Sequence, residues 1–91
     1  MIYTPKPTAQ FKKDVKIIEK RGYKIDLLTA VIEKLANGET LDESYSDHPL
    51  KGDYIGCREC HITPDWLLIY RISEKTLFLY LTRTGTHSDL F

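Results

Sequence analysis

Cys57-Arg58-Glu59-Cys60-His61-Ile62-Thr63-Pro64-Asp65-Trp66-Leu67-Leu68-Ile69-Tyr70 changes character at one point. Thr63-Pro64-Asp65 is turn chemistry: proline presets a turn backbone and aspartate bonds its own main chain. Before it, polar and apolar residues mix as on a half-buried strand. After it, residues 66–72 are apolar on both faces, as a central strand should be. Ser73-Glu74-Lys75 is a second turn, and residues 76–83 form a third strand. The sequence therefore predicts a three-stranded meander over 54–62, 66–72 and 76–83. A three-residue loop at 73–75 would pair Ile72 with Thr76 and Trp66 with Thr82, leaving Asp65 opposite Arg83. A matching loop at 63–65 would pair Ile62 with Trp66 and set His61 beside Asp65.

On the N-terminal side, residues 39–53 read as a loop, polar and acidic, with Pro49 and Gly52. A loop of this length in a small domain is often functional. Two helices precede it. In the first, Thr8 is the N-cap, and Phe11, Val15 and Ile18 share one face. Lys12, Lys13, Lys16 and Lys20 cover the other side, and Gly22 ends the helix. In the second, Asp26 is the expected N-cap, Leu28, Val31, Ile32 and Leu35 form the apolar stripe, and Asn37-Gly38 closes it. The short link predicts an antiparallel helix pair. Residues 1–4 read as a short strand stopped by Pro5 and Pro7. The order predicts a single α+β domain over residues 1–91, with the helices packed on one face of the sheet. The tail from Thr84 onward shows no period.

The chain has 91 residues, 13 basic and 13 acidic, with hydrophobic and charged fractions of 42% and 29%. This suits one soluble domain with a modest core. The charges are uneven: seven cations lie between Lys6 and Lys24, whereas Glu39, Asp42, Glu43 and Asp47 form an acidic middle. Zero net charge thus leaves room for a locally basic surface. No apolar run is long enough to span a membrane, and the N-terminus lacks the apolar core of a signal peptide. A cytoplasmic location with reduced thiols is expected.

The predicted registers gather His61, Asp65 and Arg83 at one sheet edge, with His87 just beyond and His48 on the loop feeding the first strand. Metal-free RNA cleavage needs a base for the ribose 2′-OH, charge stabilisation at phosphorus and an acid for the departing 5′ oxygen. Histidine, with an ordinary pKa of about 6.5, suits proton transfer, and the arginine fork suits phosphate. Asp65 would act as base or orient a histidine. Trp66 or Phe91 would stack on a splayed base. Each residue also has a plain structural alternative: a solvated histidine, a cross-strand Asp65–Arg83 ion pair, a core tryptophan, a frayed terminal phenylalanine. Cys57-Arg58-Glu59-Cys60-His61 matches a haem-attachment spacing. In a strand, however, cysteines three apart face opposite sides, which argues against a shared haem or zinc. No cofactor and no metal site is expected.

Asp47-His48-Pro49-Leu50, Arg58, His61, Pro64-Asp65-Trp66, Arg83-Thr84-Gly85-Thr86-His87 and the ending Leu90-Phe91 together resemble the YafQ-like branch of the RelE/ParE toxin superfamily. The resemblance covers nearly the whole chain, and the C-terminal half carries its specificity. It implies a RelE-like fold and the toxin of a type II toxin–antitoxin pair, a ribosome-dependent endoribonuclease that cuts mRNA in the decoding site without metal. By position it implies His87 as general acid, Asp65 and His61 as the base side, Arg83 as phosphate stabiliser, His48 as an assisting group and Phe91 as a stacking group. RNA contacts are expected from the basic first helix, Lys51 and Arg58. The implied partners are a cognate acidic antitoxin, the bacterial ribosome with its mRNA, and operator DNA through the antitoxin complex. Three rival functions remain open: a ParE-like gyrase inhibitor, a non-catalytic RNA- or protein-binding module, and a metal-dependent nuclease.

Overall fold

The computed structural model describes residues 1–91. The elements run β1 (Thr4–Pro7), α1 (Ala9–Lys20), α2 (Ile25–Ala36), β2 (His48–Pro49), β3 (Arg58–Thr63), β4 (Trp66–Ser73), β5 (Phe78–Gly85) and α3 (His87–Leu90), with single 3₁₀ turns at Glu43–Tyr45 and Gly52–Tyr54. The sheet order is β1-β5-β4-β3-β2. β1 runs parallel to β5, and every other pair is antiparallel. No helix is long and apolar enough to cross a membrane.

The prolines expected to stop β1 instead lie inside it. Thr4 and Thr8 donate their N–H groups to Leu77 and Leu81 carbonyls at 2.9 and 3.0 Å. The alternate nitrogens, those of Pro5 and Pro7, then face away from β5 at the sheet edge, where no donor is needed. Thr8 caps α1 as predicted, its hydroxyl accepting from Phe11 N at 3.0 Å. The N-cap of α2 is Lys24 and not Asp26, which sits in the first turn and complements the helix dipole. The expected 39–53 loop contains β2, whose His48 and Pro49 pair with Glu59 and Arg58. Residues 54–57 precede β3 and do not form part of it. The unpatterned tail forms α3, opened by a reciprocal cap between Thr86 and Asp89.

The two strand registers fared differently. β3 and β4 turn on two residues, Pro64-Asp65, so Thr63 meets Trp66, and a bulge at Ile62 then returns His61↔Leu67 to the predicted pairing. The β4–β5 register differs from the prediction. Its loop has four residues, 74–77, with Leu77 in the left-handed region at φ 58° and Leu77 N bonded to Ser73 O at 2.8 Å. A second bulge at Thr82 shifts the ladder again, so Arg83 pairs with Ile69 and not with Asp65.

The sheet has two unequal faces. Towards α1 and α2 lies the main core, which includes Phe11, Ile18, Leu28, Val31, Leu35, Cys60, Trp66, Leu68, Tyr70, Leu79 and Leu81. The opposite face holds a small apolar cluster of Leu67, Ile69 and Leu90, flanked by Leu50, Tyr54 and Cys57. Cys57 and Cys60 therefore belong to opposite faces, as their spacing required. Trp66 is 1% exposed, meets Tyr23 edge-on at 5.2 Å and donates Nε1–H to Thr84 Oγ1 at 2.9 Å. It is a core residue, so the base-stacking role expected of it is withdrawn. The Thr84 hydroxyl passes the bond on to Leu67 O at 2.7 Å. Thr84→Val should leave the Trp66 donor unpaired and cost about 1–3 kcal/mol, read by urea denaturation.

Candidate active site

The face away from α1 and α2 carries the chemistry, and the register explains how. His48 pairs with Glu59, Glu59 with Ile69, and Ile69 with Arg83, forming one row across four strands. His61, Leu67 and Gly85 form the next row. Residues paired across a sheet share a face, so His48, Glu59, His61 and Arg83 all project to this side. α3 lies over the sheet and buries Leu90 on Leu67 and Ile69. That leaves His87 and Phe91 at its ends. The close approach needs Gly85: a Cβ there would lie 3.0 Å from Asp89 Cβ and Oδ2.

The centre of the cluster is Glu59. Its side chain is 5% exposed, and Oε2 lies 3.1 Å from His48 Nε2 and 3.8 Å from His61 Nε2. Its other oxygen, Oε1, is buried with no partner. Buried carboxylate oxygens are nearly always bonded, so this one stands out. Backbone carbonyls steer both imidazoles: His48 Nδ1 lies 2.6 Å from Ser46 O, and His61 Nδ1 lies 3.4 Å from Pro64 O. A donor at each Nδ1 would leave each Nε2 as the atom facing the carboxylate or a substrate.

From this centre the rings continue outward. His61 and His87 have centroids 5.9 Å apart, His87 and Phe91 6.0 Å, and Phe91 meets Tyr54 edge-on at 5.6 Å. Asp65 Oδ1 lies 3.8 Å from His87 Nδ1, and both side chains are more than half exposed. The expected grouping of His48, His61, Asp65 and His87 is therefore present. No three His, Cys, Asp or Glu side chains converge as a metal-ligand set.

Arg83 sits elsewhere than expected. It is two strands from Glu59, roughly 10 Å between backbones. β1 ends at Leu81, leaving the β5 edge open beyond it, and Asp14 enters that gap from α1. Its carboxylate accepts from Arg83 Nε and Nη2, both at 3.0 Å, and from Thr84 N at 3.2 Å. Asp14 chiefly, with Tyr54, pushes the Arg83 guanidinium further above its ordinary range. Asp14 leaves Nη1 free, and the guanidinium also interacts with Tyr54, which meets Phe91 at the end of the ring series.

Arg58 faces the other side of the sheet, opposite Tyr70, with Nε 2.8 Å from Asp47 Oδ1. Asp47 also accepts from the Tyr70 hydroxyl. This pairing removes Arg58 from the site face. Lys51 is exposed, between Leu50 and Tyr54, both of which pack on the site face. Sequence reasoning passed over Glu59 and Asp14. Glu59 carried a signal, since it stands two residues before His61 and so shares its face. Asp14 did not, because its partner is 69 residues away in the chain.

Known proteins align closely with this architecture. Residues 3–91 match the family model described as the bacterial toxin of type II toxin–antitoxin systems, YafQ. The mRNA interferase toxin YafQ of Escherichia coli K12 is 41% identical over 85 residues, covering 92% of this chain and 90% of the relative. Among solved structures, a metal-bound toxin from Helicobacter pylori superposes with TM-score 0.91 at 44% identity, covering 98% of this chain and 99% of that one. A chain of the E. coli DinJ–YafQ complex gives TM-score 0.89 at 38% identity, covering 98% of each chain. A match over nearly the full length, on the fold described above, places the chain in the YafQ family of type II toxin–antitoxin toxins.

Proposed function

We propose that this chain is an mRNA interferase that cuts ribosome-bound mRNA by attack of the ribose 2′-OH, without a catalytic metal. The observation that carries the reading is the convergence of two imidazoles on a buried, half-partnered carboxylate, with a third imidazole alongside. The E. coli relative named as an mRNA interferase lends it weight. His61, partly exposed beside the Glu59 carboxylate, takes the 2′-OH proton, and the buried carboxylate stabilises the imidazolium that forms. His48 shares the same carboxylate and assists, and Asp65 orients His87. The 2′ oxygen attacks the adjacent phosphorus, the P–O5′ bond breaks, and His87 donates a proton to the departing 5′ oxygen. The products are a 2′,3′-cyclic phosphate and a free 5′-OH. Arg83 offers Nη1 to the phosphorane charge, and exposed Phe91 stacks on a base. Lys51 and the lysine face of α1 contact RNA backbone, a salt-sensitive interaction. The DinJ–YafQ complex supports a cognate antitoxin as the protein partner.

The test is cleavage of a defined mRNA by purified protein, with and without programmed ribosomes, using a chelator that removes zinc and copper but spares the ribosome's magnesium. Cleavage only with ribosomes, in chelator, ending in a cyclic phosphate and abolished by 2′-deoxy substitution at the cleaved nucleotide, is expected. Cleavage of the 2′-deoxy substrate would overturn the mechanism. No cleavage by folded protein would leave a binding module.

A further inference from the structure

A helix of four residues cannot hold itself together, because one turn does not repay the cost of nucleation. α3 nevertheless presents His87 and Phe91, and among its residues only Leu90 is buried. Something beyond that single apolar contact must fix it. The C-terminal end of α1 supplies it. Arg21, the residue after α1, meets Asp89 through both arms of its guanidinium, Nη1 to Oδ2 at 2.7 Å and Nη2 to Oδ1 at 3.1 Å. The same carboxylate closes the first turn of α3, where Oδ2 accepts from Thr86 N at 2.9 Å and from the Thr86 hydroxyl at 3.0 Å. Seven residues earlier, on the same face of α1, Asp14 grips Arg83 and Thr84. α1 thus holds the segment at both ends of the turn that leads from β5 into α3.

We propose that Arg21 is a positioning residue for cleavage: by bridging to Asp89 it locks α3 onto the sheet and sets His87 beside His61. The inference rests on the proposed role of His87. It gives Arg21 a task different from that of the lysines on α1, since its fork is taken up by an intramolecular carboxylate and not offered to RNA. Arg21 holds the Asp89 carboxyl well below the usual carboxylate range, so the bridge stays charged wherever histidine titrates.

The test compares Arg21→Ala, Asp89→Asn and the double variant, each also in a His87→Ala background, with amide hydrogen exchange of α3 in the free protein as a second reading. A small misplacement of a catalytic group costs up to about 10²-fold, so each single variant should lower kcat roughly tenfold or more with little change in KM. The double variant should be no worse than either single, and neither should matter once His87 is gone. Exchange at Leu90 and Phe91 should accelerate in both. Multiplying losses in the double variant would show that Arg21 acts on RNA independently of Asp89 and would overturn the proposal, as would unchanged α3 exchange. If His87→Ala itself cleaves at the parental rate, the role of His87 falls, and the exchange data alone decide whether Arg21 locks α3.

Discussion

His87→Ala should cleave ribosome-bound mRNA about 10²–10⁴-fold more slowly than the parent, the range general acid–base groups contribute, while binding ribosomes equally well. The separation of the two effects follows from the geometry. The His87 side chain caps nothing and is 55% exposed, with Asp65 Oδ1 at 3.8 Å and the rings of His61 and Phe91 at 5.9 and 6.0 Å between centroids. Removing the imidazole should therefore leave the fold intact, since exposed positions away from caps and cores rarely matter for stability. What disappears is the one ring that lies beside His61 yet stands clear of Glu59, and hence the one free to give a proton to a leaving oxygen. Thermal unfolding and ribosome co-sedimentation should be unchanged. A substrate with a much better leaving group at the 5′ position, such as a 5′-thio linkage, needs little protonation and should recover most of the lost rate. Undiminished cleavage of normal mRNA would remove His87 from the acid role. Loss without thio rescue would assign it to binding or base work.

How much of this site could be read from the sequence depends on which strand carried each residue. His61 was placed correctly because its register hangs on Pro64-Asp65, a turn whose chemistry is local and strong. The bulge at Ile62 absorbed the error in loop length before it reached His61. Arg83 was misplaced because its register hangs on a loop closed by Leu77, which takes a left-handed conformation that glycine or asparagine would have announced and leucine does not. The Thr82 bulge then compounded the shift. Trp66 was readable as core from the strand it opens, whereas its hydroxyl partner Thr84, 18 residues on, was not. α3 was signalled only by the Thr86–Asp89 spacing, which short tails also carry by chance. The pattern is physical: features fixed by neighbours in the chain were legible, Glu59 beside His61 included, and features fixed by a side chain reaching across the fold, as Asp14 does to Arg83, were not.

Glu59→Gln should separate catalysis from stability. A buried acceptor without a donor costs a folded protein about 1–3 kcal/mol, and more when it carries charge. Oε1 is such an atom. Glutamine keeps the size and one carbonyl acceptor for the imidazoles, and it removes the charge. Its stability should therefore equal or exceed that of the parent in urea denaturation. Cleavage should fall about 10²-fold or more, because a neutral amide cannot stabilise the imidazolium that forms when His61 takes the 2′-OH proton. The same variant should still bind ribosomes, since a residue only 5% exposed cannot contribute directly to a large interface. A gain or no change in stability together with a collapse in rate is the signature of a group retained for function at a cost to the fold. Two results would contradict it. A Gln variant that cleaves at the parental rate would make Glu59 a spectator. One that loses stability and activity together, with activity restored at low temperature where the variant is folded, would make Glu59 a structural anchor for His48 and His61 with no electrostatic part in the chemistry.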